Sequence, residues 1–199
     1  METFEWNDIY QGTSADYQPP DAELLAIVDG LRPGRALDVG CGAGGLAVAL
    51  AQRGWEVTGI DLAPNAIAAA RAIAADRGVS ATFEAADASK WTTEDTYDLI
   101  VSSFALPDNR ALRAPAFATM RTALAPGGTV LIKDFDSTMA RLSHFAAFEL
   151  VTVDELERAF PGLAVVRAEI VETPKHVEAD DDDAPWTAAL FQATRPANP

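Results

Sequence analysis

Cysteine, histidine and basic residues are the shortages of this 199-residue chain. The lone cysteine, Cys41, has no partner for an internal disulfide, so nothing asks for an oxidising compartment. Two histidines and one cysteine, with no spaced ligand pair, give no basis for a transition-metal centre, and none is expected. Lys and Arg number 15 against 30 Asp and Glu, a net charge of −15. Such a field repels phosphate backbones and anionic headgroups, so neither nucleic acid nor membrane is an expected partner. Long apolar runs are missing too; the alanine-rich stretch 66–75 is short and carries Arg71. The opening residues 1–6 have neither a basic nor an apolar region of the signal-peptide kind, which points to a cytoplasmic protein. What remains is ordinary globular composition, 49% hydrophobic and 23% charged. A single domain over 1–199 is expected at this length.

The pattern along the chain alternates between short apolar runs and helical segments. Helices are predicted at 21–31, 46–53, 64–77 and 114–124, and strands at 36–39, 56–60, 81–84, 97–103 and 129–133. Asp21 is placed to cap the first helix, Pro64 to open the third and Gly78 to end it. The strands lack clean alternation, which suits a parallel sheet covered by helices on both faces. After Asp136 the rhythm changes. Thr152-x-x-Glu155 reads as a capping box with Val151 and Leu156 as its staple. Two strands, 163–171 and 186–193, then follow with no helix between them, which suggests an antiparallel pair at the sheet edge.

The turn Asp38-Val39-Gly40-Cys41-Gly42-Ala43-Gly44-Gly45 joins the first strand to a helix. Glycines there let the backbone approach a ligand, and the helix N-terminus offers N–H groups. Asp61 ends the next strand, where a carboxylate can accept both hydroxyls of a ribose. The glycine spacing alone does not separate a nicotinamide dinucleotide from S-adenosylmethionine. Two carboxylates favour the latter. Asp38, just before the first glycine, poorly serves a diphosphate but suits a cofactor bearing ammonium and sulfonium. Asp87, after the third strand, can accept from an adenine amino group. A dehydrogenase would also need a substrate domain for which there is no room.

The segment 38–44 resembles motif I of the class I S-adenosylmethionine-dependent methyltransferases. Thr58-Gly59-Ile60-Asp61-Leu62-Ala63 is similar to the acidic segment after their second strand, Asp98-Leu99-Ile100-Val101-Ser102-Ser103 to their fourth strand, and Leu124-Ala125-Pro126-Gly127-Gly128 to the turn before their fifth. The opening Trp6-Asn7-Asp8-Ile9-Tyr10 and the run 35–40 resemble the tellurite-resistance and thiopurine methyltransferase-like group, which methylates thiol or chalcogen nucleophiles. The resemblance implies a Rossmann-like three-layer α/β sandwich. Its seven-stranded sheet is mostly parallel, with the last strand inserted antiparallel. It implies S-adenosylmethionine at Tyr10, Asp38, Gly40, Cys41, Gly42, Asp61, Leu62, Asp87, Ala88 and Ser103. Residues 1–20 would lie over the cofactor, and 137–199 would form the substrate side and close the sheet.

Catalytic candidates are few. Asp134 and Asp136 follow the fifth strand; Asp134, His144, His176 and Tyr10 are the groups that could serve as a general base. Cys41 reads as a small packing residue rather than a nucleophile. The acidic run 180–183 around His176 reads as a solvated loop. A thiolate or reduced chalcogen needs no base, so the scarcity of bases favours a soft small-molecule acceptor. An O-, N- or C-nucleophile of a small metabolite is the alternative, and a cofactor-binding module without turnover is another. No Asn-Pro-Pro-aromatic run follows the fourth strand, which argues against methylation of adenine or glutamine amines.

Overall fold

Five parallel strands form the first part of the sheet and an antiparallel pair completes it. The computed structural model describes residues 7, 8, 10, 19–143, 145–175 and 185–197. In chain order the elements are α1 (Ala22–Val28), β1 (Arg35–Val39), α2 (Gly45–Gln52), β2 (Glu56–Asp61), α3 (Pro64–Asp76), β3 (Thr82–Ala85), β4 (Tyr97–Ser103), α4 (Arg110–Ala123), β5 (Leu124–Phe135), a 3-10 turn (Ser137–Arg141), α5 (Val153–Ala159), β6 (Ala164–Thr173) and β7 (Trp186–Thr194). The strand order is β3-β2-β1-β4-β5-β7-β6. β7 lies antiparallel between β5 and β6, the insertion that the resemblance implied.

Side-chain alternation along each strand sorts the core into two layers. Ala36, Val57, Leu99, Val101 and Leu131 meet α1, α2 and α3 on one face. Leu37, Ile60, Ile100, Val130 and Ile132 meet α4 and α5 on the other. The strand order reverses between β1 and β4, which opens a crevice at the carboxyl ends of the strands.

Several boundaries differ from the expectation, and three of the differences have a physical reason. α1 stops at Val28, three residues early, with Asp29 closing it. α4 begins at Arg110 rather than 114, because the Asn109 side chain accepts from Ala111 N–H at 2.8 Å and caps an extra turn; Pro115 then falls inside the helix. β5 is longer than 129–133, because Leu124 already pairs with Tyr97 and the glycine turn is absorbed as an irregularity between them. The capping box at α5 is half made. Thr152 accepts from the Glu155 N–H at 3.1 Å, but the Glu155 carboxylate turns away to Arg113, with an Nε contact of 2.9 Å.

Candidate active site

The glycine turn is held by its own carboxylates. Gly40, Gly42 and Gly44 have φ of 76°, 51° and 82°, the left-handed region that side chains disfavour. Gly40 and Cys41 both donate to the Ile60 carbonyl, and Gly44 donates to the Cys41 carbonyl. The Gly42 N–H donates to Asp61 Oδ2 at 2.9 Å. Asp61 Oδ1 accepts from Ala63 N–H at 2.9 Å, so the residue at the end of β2 fixes the turn after β1. Burial raises its pKa against the pull of those two N–H groups.

Asp38 sits on the face of β1 that meets α2. It is 1% exposed, and Ala47 N–H in the first turn of α2 bonds to it. Its other oxygen, Oδ2, is buried without a hydrogen-bond partner. Burial, and secondly the charge of Asp61, push it up to about 7. Cys41 is buried, and a Cβ on Gly59 would stand 2.9 Å from its Sγ, so it packs against β2; burial pushes its thiol well above the ordinary value. That is the packing role expected of it.

The N-terminal segment reaches this turn. A Cβ on Gly42 would lie 2.7 Å from the Tyr10 hydroxyl, which stands over the glycine loop. Burial, then the charges of Asp61 and Cys41, push Tyr10 up to about 12. Asn7 meets the start of α3 beside it. Its Oδ1 accepts from Asn65 N–H at 2.9 Å, and its carbonyl accepts from Asn65 Nδ2 at 3.0 Å. Ala63, the residue at the N-cap of α3, supplies no side-chain cap, so Asn7 does this from a distance. Sequence spacing gave no signal for that contact.

Leu62 follows Asp61 at the half-buried rim of β2, and Ala88 packs half-buried against the α4 side of the core. Asp87 is engaged locally. Oδ1 accepts from Ser89 N–H at 2.9 Å and Ser89 Oγ at 2.6 Å, and Lys90 Nζ lies 2.8 Å from Oδ2. Lys90 and Ser89 lower its pKa. Ser103 ends β4 opposite Lys133 of β5.

Beyond Ser103 lies the other wall of the crevice. Phe104 has φ of 51°, the one non-glycine residue with positive φ among those described. Its ring centroid lies 4.7 Å from that of Phe135, which in turn meets Phe145 and Trp186. Ala105 touches the glycine turn: a Cβ on Gly40 would stand 2.2 Å from the Ala105 Cβ. Neither Asp134 nor Asp136 is a solvated loop carboxylate. Asp134 accepts from Leu106 N–H at 2.8 Å and Phe135 N–H at 2.7 Å, and burial pushes it up to about 6. Asp136 is 1% exposed and caps the 3-10 turn by accepting from Thr138 N–H. Arg113, also buried, binds the Pro107 carbonyl at 2.8 Å, the Glu149 carbonyl and the Glu155 carboxylate. His144 and His176, with the acidic run 180–183, lie outside the described residues. Among the described residues no group of three or more potential ligands could hold a metal ion, and no helix is long and apolar enough to cross a membrane.

Comparison with known proteins agrees with this geometry. Residues 36–128 match the model of a methyltransferase domain family. The chain is 38% identical over 164 residues to a trans-aconitate 2-methyltransferase of Streptomyces avermitilis, covering 76% of this chain and 60% of that protein. A solved structure concerned with the conversion of a disulfide bond into a thioacetal group during echinomycin biosynthesis superposes with a TM-score of 0.77 at 26% identity, covering 100% of this chain and 94% of that one. TehB from Haemophilus influenzae shares the fold at a TM-score of 0.73 and 20% identity, over 96% of this chain and 65% of that one. Through its glycine turn, its strand order and its match over 36–128, the chain resembles the class I S-adenosylmethionine-dependent methyltransferases, and it spans 60% of the length of the Streptomyces avermitilis relative.

Proposed function

We propose that the chain transfers a methyl group from S-adenosylmethionine to a small-molecule nucleophile. The observation that carries this reading is the buried Asp38 carboxylate, whose Oδ2 lacks a partner directly beneath the glycine turn. An uncompensated buried carboxylate fits a cationic ligand and disfavours a diphosphate. S-adenosylmethionine supplies a methyl group on a positively charged sulfur, an electrophile that needs no further activation. Asp38 would offset its positive charge, Asp61 and Leu62 would hold the ribose side, Asp87 and Ala88 the adenine side, and Gly40, Cys41, Gly42 and Ser103 the crevice floor. Tyr10 and Asn7 support a role for residues 1–20 as the cover of this site. Residues 137–199, with the aromatic rings beside Phe104, would form the acceptor side.

The base candidates among the described residues are engaged or hold their protons. Tyr10 holds its proton until about pH 12, Cys41 is buried as a thiol, and Asp134 spends its oxygens on backbone N–H groups. This supports an acceptor that arrives already nucleophilic. A thiolate or reduced chalcogen is the first class to test. The likeness to a trans-aconitate methyltransferase favours a second, a small carboxylate, which equally brings its own charge. The net charge of −15 speaks against a polynucleotide acceptor.

Calorimetry should show binding of S-adenosylhomocysteine and none of NADH. A labelled-methyl assay should then show transfer to an aryl thiol or trans-aconitate, and none to a catechol, a primary amine or short DNA. Binding of NADH alone would overturn the cofactor. Transfer confined to the catechol or amine would overturn the acceptor class. Binding without transfer to any acceptor would leave a cofactor-binding module.

A further inference from the structure

We propose that Asp134 is a positioning residue: it holds the turn 104–106 against the glycine loop, and the grip of the site on its cofactor depends on it. This rests on the reading above.

The side-chain alternation of β5 turns Lys133 toward α1 and Asp134 toward α4. The end of β5 then collects three successive amides. Phe104 N–H donates to the Lys133 carbonyl at 2.8 Å, and the N–H groups of Ala105 and Leu106 bond to the Asp134 carboxylate. A left-handed residue in such a turn directs successive N–H groups into one concavity, the geometry that elsewhere receives an anion. Here the anion is part of the chain. An aromatic residue at φ 51° persists only where the surroundings over-determine it, and Asp134 is the group that does so. Arg113 on α4 is the charged neighbour facing it; that guanidinium draws the Asp134 pKa down against burial while holding Pro107 from the far side.

The consequence reaches the cofactor side through Ala105, whose methyl fills the place a Gly40 side chain would take. A turn that loosens by a few tenths of an ångström removes a wall from the crevice. Asparagine at 134 keeps the shape but has one acceptor oxygen instead of two, so it cannot gather the same amides.

The test is Asp134→Asn, read by hydrogen exchange of individual amides and by calorimetry with S-adenosylhomocysteine. Exchange at Ala105 and Leu106 should accelerate about tenfold, while Gly42 and Ala63, held by Asp61, keep their protection. Affinity for S-adenosylhomocysteine should fall by about tenfold. The wild-type chain should lose the same protection at Ala105 and Leu106 as pH drops below about 6, and the variant should show no such step in exchange. Faster exchange with unchanged affinity would make Asp134 a structural tie and overturn the positioning role. Unchanged exchange would show that the carboxylate does not hold the turn. A wild-type chain that binds no S-adenosylhomocysteine would instead sink the functional reading, and the positioning role with it.

Discussion

The two walls of the crevice are built on different principles. The β1–β2 wall is made of small residues and near neighbours: three left-handed glycines, Cys41 against Gly59, and Asp61 locking Gly42 and Ala63. The β4–β5 wall is made of large side chains and distant partners. Phe104 leans on Phe135, Arg113 reaches Glu149 and Glu155, and Asp134 holds Leu106. The first wall must let a backbone approach a ligand, which restricts its residue types. The second, on the proposed reading, faces the acceptor, and many side-chain sets give a rigid wall. The difference can be broken by substitution.

The largest effect should come from the β4–β5 side. Arg113→Met would leave the Glu155 carboxylate to Arg110 alone and strand two carbonyls, and breaking such a buried pair costs ~3–5 kcal/mol. Urea unfolding should show that loss. A loss below ~1 kcal/mol would show that the clamp is dispensable.

Asp61→Ala sharpens the other wall. It removes the acceptor that holds Gly42 and Ala63 and that, on the proposed reading, holds the ribose, so cofactor affinity should fall by ~1.5–3 kcal/mol, with a smaller loss of stability. Calorimetry showing unchanged affinity in a folded variant would take Asp61 out of the site. Asn7→Ala tests the remote cap and should cost ~1 kcal/mol of stability, measured by thermal unfolding. An unaltered midpoint would mean that α3 does not need it.

The remaining effect is in pH. Asp38, pushed up to about 7, and Asp134, pushed up to about 6, bind protons more tightly folded than unfolded. The folded state therefore carries more protons than the unfolded one between the ordinary carboxylate range and about pH 7, and stability rises as pH falls through that window. The Tm of the cofactor-free chain should climb from pH 8 to pH 5, and Asp38→Asn should flatten the climb. A Tm that falls over this range would contradict the burial argument.

What was legible in the sequence follows the same division. The strand-turn-helix at 36–52 announces itself because positive φ demands glycine and the flanking runs are short and apolar. The layered sheet and its inserted last strand were likewise foreseeable, through the family resemblance. Phe104 was not, because nothing in an aromatic residue advertises a left-handed backbone. Glu155 carries a capping signature, yet its carboxylate goes to Arg113, since a buried guanidinium competes more strongly than an exposed N–H. Asp134 and Asp136 are two residues apart in sequence, but one gathers a turn after β4 and the other caps a 3-10 turn. Spacing cannot tell them apart; the fold does, by what each one faces.

The insertion of β7 bears on how this molecule is made. β5 is buried almost throughout, and one of its two hydrogen-bonding edges is completed by β7. During synthesis β5 emerges well before that partner, because α5, β6 and the residues up to Trp186 must be translated first. In the interval an apolar strand shows an open edge, the feature most prone to pairing with another chain. A nascent chain halted anywhere between β5 and β7 therefore has its cofactor wall encoded and its sheet unsealed. The final strand closes the sheet.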